Sequence, residues 1–310
     1  MPAAAATDRL RYVPSAGVEA GFWWGELLGD QRPVDAYSLT YDSAPLNQDV
    51  AMLGRAHVRL LAAADAPLAD WIVRLEDVAE DGRVTTSTGA GLNGAQRQSI
   101  DRPEPLVSGT EYALKFALYL SSWVWTRGHR IRVAASNAQW PMFWPIPYSM
   151  TTTLRLGGVE GSSIVLPVVP SQGRVPPHFT QPEPMEEPQG ITTTGDYAWP
   201  GTWKLERDEV SGRSTVMWHG TSNLRFPWGS FDHLEKLVYH MDDAHPETSA
   251  VEGESESVER LADRVLVYRG HLSFASDANT FHYGYTRELL RDGRVVRTRT
   301  WREDIPRDLQ

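Results

Sequence analysis

The chain has no cysteine in 310 residues, which excludes disulfides, thiolate nucleophiles and Cys-ligated zinc or iron–sulfur centres. No run approaches the ~18 apolar residues of a membrane-spanning helix. Met1-Pro2-Ala3-Ala4-Ala5-Ala6 passes straight into Thr7-Asp8-Arg9, without the basic and apolar regions of a secretory signal. Positive charge is in short supply: 30 Lys and Arg stand against 40 Asp and Glu, for a net charge of −10. That balance supplies no attraction for nucleic acid or an anionic membrane surface, and the expectation is a soluble, cytoplasmic protein. The pentapeptide G-x-S-x-G is also missing. Small residues at its ends let a strand-to-helix elbow fold tightly around a serine nucleophile. Without it, and without β-α-β alternation, no catalytic, cofactor-binding or metal-binding residue is expected.

What the chain does contain is short segments of alternating polarity separated by turn residues. Tyr112, Leu114, Phe116, Leu118 and Leu120 share one face, and Ala113, Lys115, Ala117 and Tyr119 the other, the period of a half-buried strand. The same logic turns Ile131, Val133 and Ala135 inward against Arg130 and Arg132, and Thr152, Leu154 and Leu156 inward against Thr153 and Arg155. Asp81-Gly82, between Val73-Arg74-Leu75 and Val84-Thr85-Thr86, tolerates the positive φ of a tight turn. The spacing predicts an all-β chain with a lead-in over 1–38 and a jelly-roll β-sandwich over 39–170.

From 171 to 190 prolines crowd together (Pro176, Pro177, Pro182, Pro184, Pro188) with Gln172, Glu183, Glu186 and Glu187. Such a stretch buries too little apolar surface to fold alone and reads as a linker. Strand patterns resume in a second, smaller antiparallel domain over 191–310, with hairpin turns at Ser211-Gly212 and Asp292-Gly293. Phe231, Leu234, Leu237, Val238 and Met241 fit a helical face, while Leu237-Val238-Tyr239 fits a strand, so both readings stand for 231–241.

Several residue groups merit weighing for chemistry. His129 opens a strand after a turn glycine and reads as an imidazole held by backbone or carboxylate. His233, His240, Asp242, Asp243 and His245 are metal-ligand types without a ligand framework. Glu252, Glu254, Glu256 and Glu259 read as an acidic loop, which cannot hold the fixed carboxylate pair of glycoside chemistry. The recognition candidates are Trp140, Phe143 and Trp144, in a loop where Pro141, Pro145 and Pro147 forbid a central strand. Phe22, Trp23 and Trp24 form a second aromatic cluster. Such groups plug a domain junction, contact a partner or offer a ligand platform.

Gly128-His129-Arg130-Ile131-Arg132-Val133-Ala134-Ala135-Ser136-Asn137 runs into Trp140-Pro141-Met142-Phe143-Trp144-Pro145-Ile146-Pro147, joining a strand to that proline-bracketed loop. Upstream, in order, come Gly21-Phe22-Trp23-Trp24, Asp30-Gln31-Arg32, Ser38 to Leu46, Trp71 to Val78, Gly91-Leu92-Asn93 with Arg97, and Pro105-Leu106-Val107. This sequence of motifs resembles the C-terminal non-catalytic β-domain of X-Pro dipeptidyl-peptidase and cocaine-esterase/NonD-type (CocE/NonD) serine hydrolases. Trp301-Arg302-Glu303-Asp304-Ile305-Pro306-Arg307-Asp308 is similar to the tail of longer members with an extra β-domain. The resemblance implies a galactose-binding-like jelly roll supporting an α/β-hydrolase domain or subunit that acts on esters, amides or X-Pro peptides. The family's Ser, Asp and His lie in that N-terminal domain, so none falls on a position here. Self-association is the other partnership considered, and a free-standing jelly-roll module for carbohydrate or another small ligand is the alternative function.

Overall fold

A computed structural model describes residues 5–21, 29–158, 160–170, 178, 180–181, 190–194 and 202–310. The chain separates into two compact units, Met1–Val175 with Asp308–Gln310, and Pro176–Arg307. Most of the 171–190 stretch, and Phe22, Trp23 and Trp24, lie outside the described residues.

The first unit contains β1 (Ala6–Arg11), β2 (Leu39–Asp42), β3 (Val50–Gly54), β4 (His57–Ala64), β5 (Asp70–Val78), β6 (Val84–Asn93), β7 (Tyr112–Ala117), β8 (Ser121–Trp125), β9 (Arg130–Ser136), β10 (Thr151–Leu156), β11 (Ser163–Val165) and β12 (Val168–Val169). They form antiparallel sheets ordered β1-β10-β4-β11 with β7 also on β4, β2-β9-β5-β6, and β12-β3-β8. Alternate residues from these sheets meet in one core. Val58, Leu60, Ala62 and Ala64 of β4 pack with Trp71, Val73 and Leu75 of β5, Leu114 of β7, Trp125 of β8 and Leu154 of β10. Gly82 has φ +84° at the turn joining β5 to β6.

The strand from Tyr112 stops at Ala117, yet Leu118 is fully buried and Tyr119 exposed as the alternation requires, and only Leu120 departs from it by being exposed. The chain changes partner there, β7 pairing with β4 and β8 with β3, so the period-2 rule lapses at Leu120 where the chain crosses between sheets.

β5 is buried on both faces. Its odd residues enter that core, and its even residues Ile72, Arg74 and Glu76 are equally buried on the opposite face. Something other than a sheet covers that face, and the site described below is built there.

The second unit contains β13 (Thr192–Thr194), β14 (Thr202–Asp208), β15 (Arg213–Phe226), β16 (Gly229–Asp242), β17 (Ala250–Leu261), β18 (Val265–Ser276), β19 (Thr280–Arg291) and β20 (Arg294–Pro306). From β15 to β20 each strand pairs with the next in an antiparallel meander, while β13 and β14 both pair with β15. Asp292 and Gly293 take φ 48° and 78° in the β19–β20 turn, the double positive φ that favours Asp-Gly.

Residues 231–241 are strand, because β16 is paired along its length by β15 and β17. Aromatic and β-branched residues suit a pleated surface. The acidic-loop reading of Glu252–Glu259 is corrected: these residues lie in β17, paired on both sides. Glu252, Glu254 and Glu256 alternate with Gly253, Ser255 and Ser257, a strand period that the charge density disguised.

Candidate functional site on the outer face of the first unit

The local chain path places two layers over β5 and β6. One is the loop after β9. Trp140 donates its backbone N–H to the Ala16 carbonyl (2.9 Å), Phe143 to that of Gln139 (2.9 Å), and Ile146 to the Tyr12 hydroxyl (2.8 Å). Gly17 sits at φ +109° against the Gln139 backbone, where a Cβ would overlap it. Trp140 is 1 % exposed, whereas Phe143 and Trp144 are half-buried. Trp140 therefore presents almost no exposed surface.

Phe143 lies over β6: a Cβ on Gly91 would come within 2.6 Å of its Cζ and 3.3 Å of Ile72 Cγ1. Gly91→Ala is accordingly expected to cost about 1–3 kcal/mol through overpacking. Urea unfolding is the measurement, and Gly91→Ala combined with Phe143→Leu is expected to recover part of the loss.

The second layer is ionic and centres on the single-turn helix Arg32–Asp35. Arg74 donates from Nε to Glu76 Oε1 (2.9 Å) and from Nη2 to Asp35 Oδ1 (2.9 Å) and Ser38 Oγ (3.0 Å). Arg132 of β9 donates from Nη1 to the other Asp35 oxygen (2.8 Å) and forks onto Asp42 of β2 (2.6 and 2.9 Å). Asp35 thus ties β5 to β9 through two guanidinium groups. Two arginines face three carboxylates, an excess of one negative charge when all are ionised. Burial, reinforced by the Asp35 charge, pushes the Glu76 carboxyl up to about 7 even though Arg74 opposes it. At the exposed end the hydrogen bond from Arg132 holds Asp42 below the usual carboxylate range. Among the described residues, Arg74 Nη1 and Glu76 Oε2 are buried without a hydrogen-bond partner. Its one hydroxyl, Ser38 Oγ, accepts from Arg74 and donates to the Val34 carbonyl (3.2 Å) with no histidine bonded to it among the described residues; the cluster fastens the helix and three strands together.

His129 accepts or donates one hydrogen bond, Nδ1 to Asp77 Oδ1 at 2.7 Å, and the other Asp77 oxygen accepts from Trp123 Nε1 at 3.1 Å. No hydroxyl is bonded to this imidazole among the described residues, so the pair lacks the third member of a nucleophilic triad. In the second unit, strand alternation sends His233 and His240 of β16 to opposite faces. Among the described residues no three His, Asp or Glu side chains are placed to hold a metal ion.

Sequence reasoning passed over Asp35, Arg74, Glu76 and Arg132 as a set. The available signal was Trp71-Ile72-Val73-Arg74-Leu75-Glu76, where charges interrupt a run apolar on both faces, as strands covered on both sides are.

Residues 5–181 match the family model for the X-Pro dipeptidyl-peptidase C-terminal non-catalytic domain. A putative serine esterase of Mycobacterium bovis is 31% identical over 158 residues, 45% of this chain and 25% of that protein. A cocaine esterase of Rhodococcus is 28% identical over 134 residues, 42% of this chain and 23% of that one. The chain thus spans about a quarter of the length of these relatives. Among solved structures, an α-amino acid ester hydrolase superposes with TM-score 0.42 at 28% identity, over 46% of this chain and 28% of that chain. Since the matched region 5–181 takes in more than half of the 310 residues, the chain belongs to the family of X-Pro dipeptidyl-peptidase C-terminal non-catalytic domains.

Proposed function

We propose that this chain is the non-catalytic β-part of a CocE/NonD-type serine hydrolase, working in the cytoplasm beside an α/β-hydrolase domain or subunit that acts on esters, amides or X-Pro peptides. In this reading the first unit is a galactose-binding-like jelly roll, and 171–190 links it to the second unit. The observation that carries the proposal is the family match over residues 5–181. Two features of the chain support it: no G-x-S-x-G elbow occurs in the sequence, and the outer face of the first unit is committed to packing and ion pairing. A scaffold that holds a neighbouring active site in place needs a rigid surface more than reactive groups.

Transition-state stabilisation of acyl transfer requires nucleophile, base and oxyanion hole in one preorganised site. The purified 310-residue chain is therefore expected to hydrolyse neither p-nitrophenyl esters nor X-Pro dipeptide amides, and to resist a fluorophosphonate probe. Stoichiometric labelling that abolishes turnover in step would overturn the proposal.

A further inference from the structure

β20 ends the meander of the second unit. It pairs with β19 on one side and with no strand on the other among the described residues. Every residue from Arg294 to Pro306 is exposed except the half-buried Trp301, including the aliphatics Val295, Val296 and Ile305. A long exposed edge presents unpaired N–H and C=O groups to any strand that complements its side chains.

The side chains along this edge complement their own reversed order. An antiparallel pairing of two copies about a two-fold axis at Thr300 sets Arg297 opposite Glu303, Thr298 opposite Arg302, Arg299 opposite Trp301 and Thr300 opposite itself. Symmetry makes each mixed pair occur twice. Arg297 and Glu303 have no ion-pair partner within the chain among the described residues, so each is free to take the other. Arg299 already stacks on Trp301 of its own strand, at 4.6 Å from the ring centroid, and the same attraction becomes available across the axis. Of the neighbouring registers, an axis at Trp301 sets Arg299 opposite Glu303 but leaves Arg297 opposite Ile305, so it keeps an ion pair without using Arg297, and the axes at Thr298 and Arg299 are worse. An axis at Thr298 opposes Arg297 to Arg299 and Arg294 to Arg302, and an axis at Arg299 opposes that residue to itself; like charges directly opposite are destabilising. The register shift at Leu289/Leu290 disturbs the ladder near Val296, which limits the regular pairing to Arg297–Glu303.

We propose that the outer edge of β20 joins two copies of this chain into a dimer, paired antiparallel about Thr300 and selected by the Arg297–Glu303 ion pairs. The seven-residue match is short against a standard protein interface, so the dimer is a weak one, with Kd expected at about 1–100 μM.

Sedimentation of the full chain over about 1–500 μM reads the association directly. Arg297→Glu and Glu303→Arg each place like charges opposite one another, and each is expected to weaken dimerisation at least ~10-fold. Both residues are exposed, and far-UV circular dichroism checks that each variant is folded. Arg297→Glu combined with Glu303→Arg in one chain restores the pair in reversed order and is expected to restore the dimer. An equimolar mixture of the two single variants is expected to form a heterodimer, because every pairing in it is between opposite charges. A wild-type chain that stays monomeric throughout overturns the proposal. So does a dimer indifferent to Arg297→Glu, or single variants that recover neither as the double variant nor in the mixture.

Discussion

Arg74→Met is expected to destabilise the first unit by about 3–5 kcal/mol, the cost of removing one partner from a buried ionic cluster. Arg74 is 1 % exposed, Glu76 0 % and Asp35 7 %. Methionine fills much of the arginine volume, so the loss comes chiefly from carboxylates left in a low-dielectric site without their cation. Urea unfolding followed by tryptophan fluorescence measures it. Arg132→Met is the control, since that side chain is 17 % exposed and its carboxylate partner Asp42 32 %. Water reaches those groups, and the loss there is expected to be smaller. Equal losses for the two variants would show that the cluster is not sealed in the way its burial indicates. A loss under about 1 kcal/mol for Arg74→Met would place its worth in the range of a surface ion pair.

The second large effect is a fall in stability as pH rises from about 5 to 8. Glu76 is pushed up to about 7 from an ordinary 4.5, so between those values the folded chain holds a proton that the unfolded chain has released. Its contribution is complete below pH 4.5 and is lost as pH passes through 7. At about 1.4 kcal/mol per unit, the loss is on the order of 3 kcal/mol. The physical source is the charge count: protonating Glu76 leaves two cations against two anions. Asp42 has a depressed carboxyl and acts in the opposite sense, adding stability above about pH 4 that acid removes, so it does not mask the trend above pH 5. His282, raised by its hydrogen bonds to Asp304 and Asp277, acts in the same sense as Glu76 but lies exposed in the second unit. Glu76→Gln separates the two, because it keeps an acceptor for Arg74 and cannot ionise. Denaturation midpoints of the first-unit transition are expected to fall with pH in the wild type and to stay level in Glu76→Gln. A wild-type midpoint that rises or stays flat over this window would mean that Arg74 keeps Glu76 ionised.

Strand content was legible wherever one face meets a core and the other meets solvent. The turns at Asp81-Gly82 and Asp292-Gly293 behave as their local chemistry requires, and Ile131, Val133 and Ala135 alternate with Arg130 and Arg132 as a strand, although the arginine face meets an ionic layer and not solvent. Legibility failed where pairing rather than pattern decides. Residues 231–241 satisfied two periodicities at once, and only neighbours on both sides made them β16. The glutamates of β17 were hidden by their own charge, because a central strand in a one-layer meander exposes a face on which Glu is at no disadvantage. The aromatic loop was visible as a display of Trp140, Phe143 and Trp144, but its direction was not. Whether Trp140 turns inward depends on Ala16 and Gly17, more than a hundred residues away.

The sequence by itself determined the all-β class, the hairpin turns, the order of motifs that carries the family resemblance and the lack of a nucleophile elbow. Each rests on residues within a few positions of one another, whose φ preferences and alternation act before any long-range contact forms. Tertiary structure alone decided that Arg74, Glu76, Asp35 and Arg132 share one ionic cluster, that Phe143 lies against the bare backbone of Gly91, and that β20 has one strand neighbour among the described residues. These depend on which strands become neighbours. That choice is made by cooperative burial between the sheets of the first unit and along the meander of the second, where a side chain's partner, and hence its charge state and exposure, comes from a segment remote in the chain.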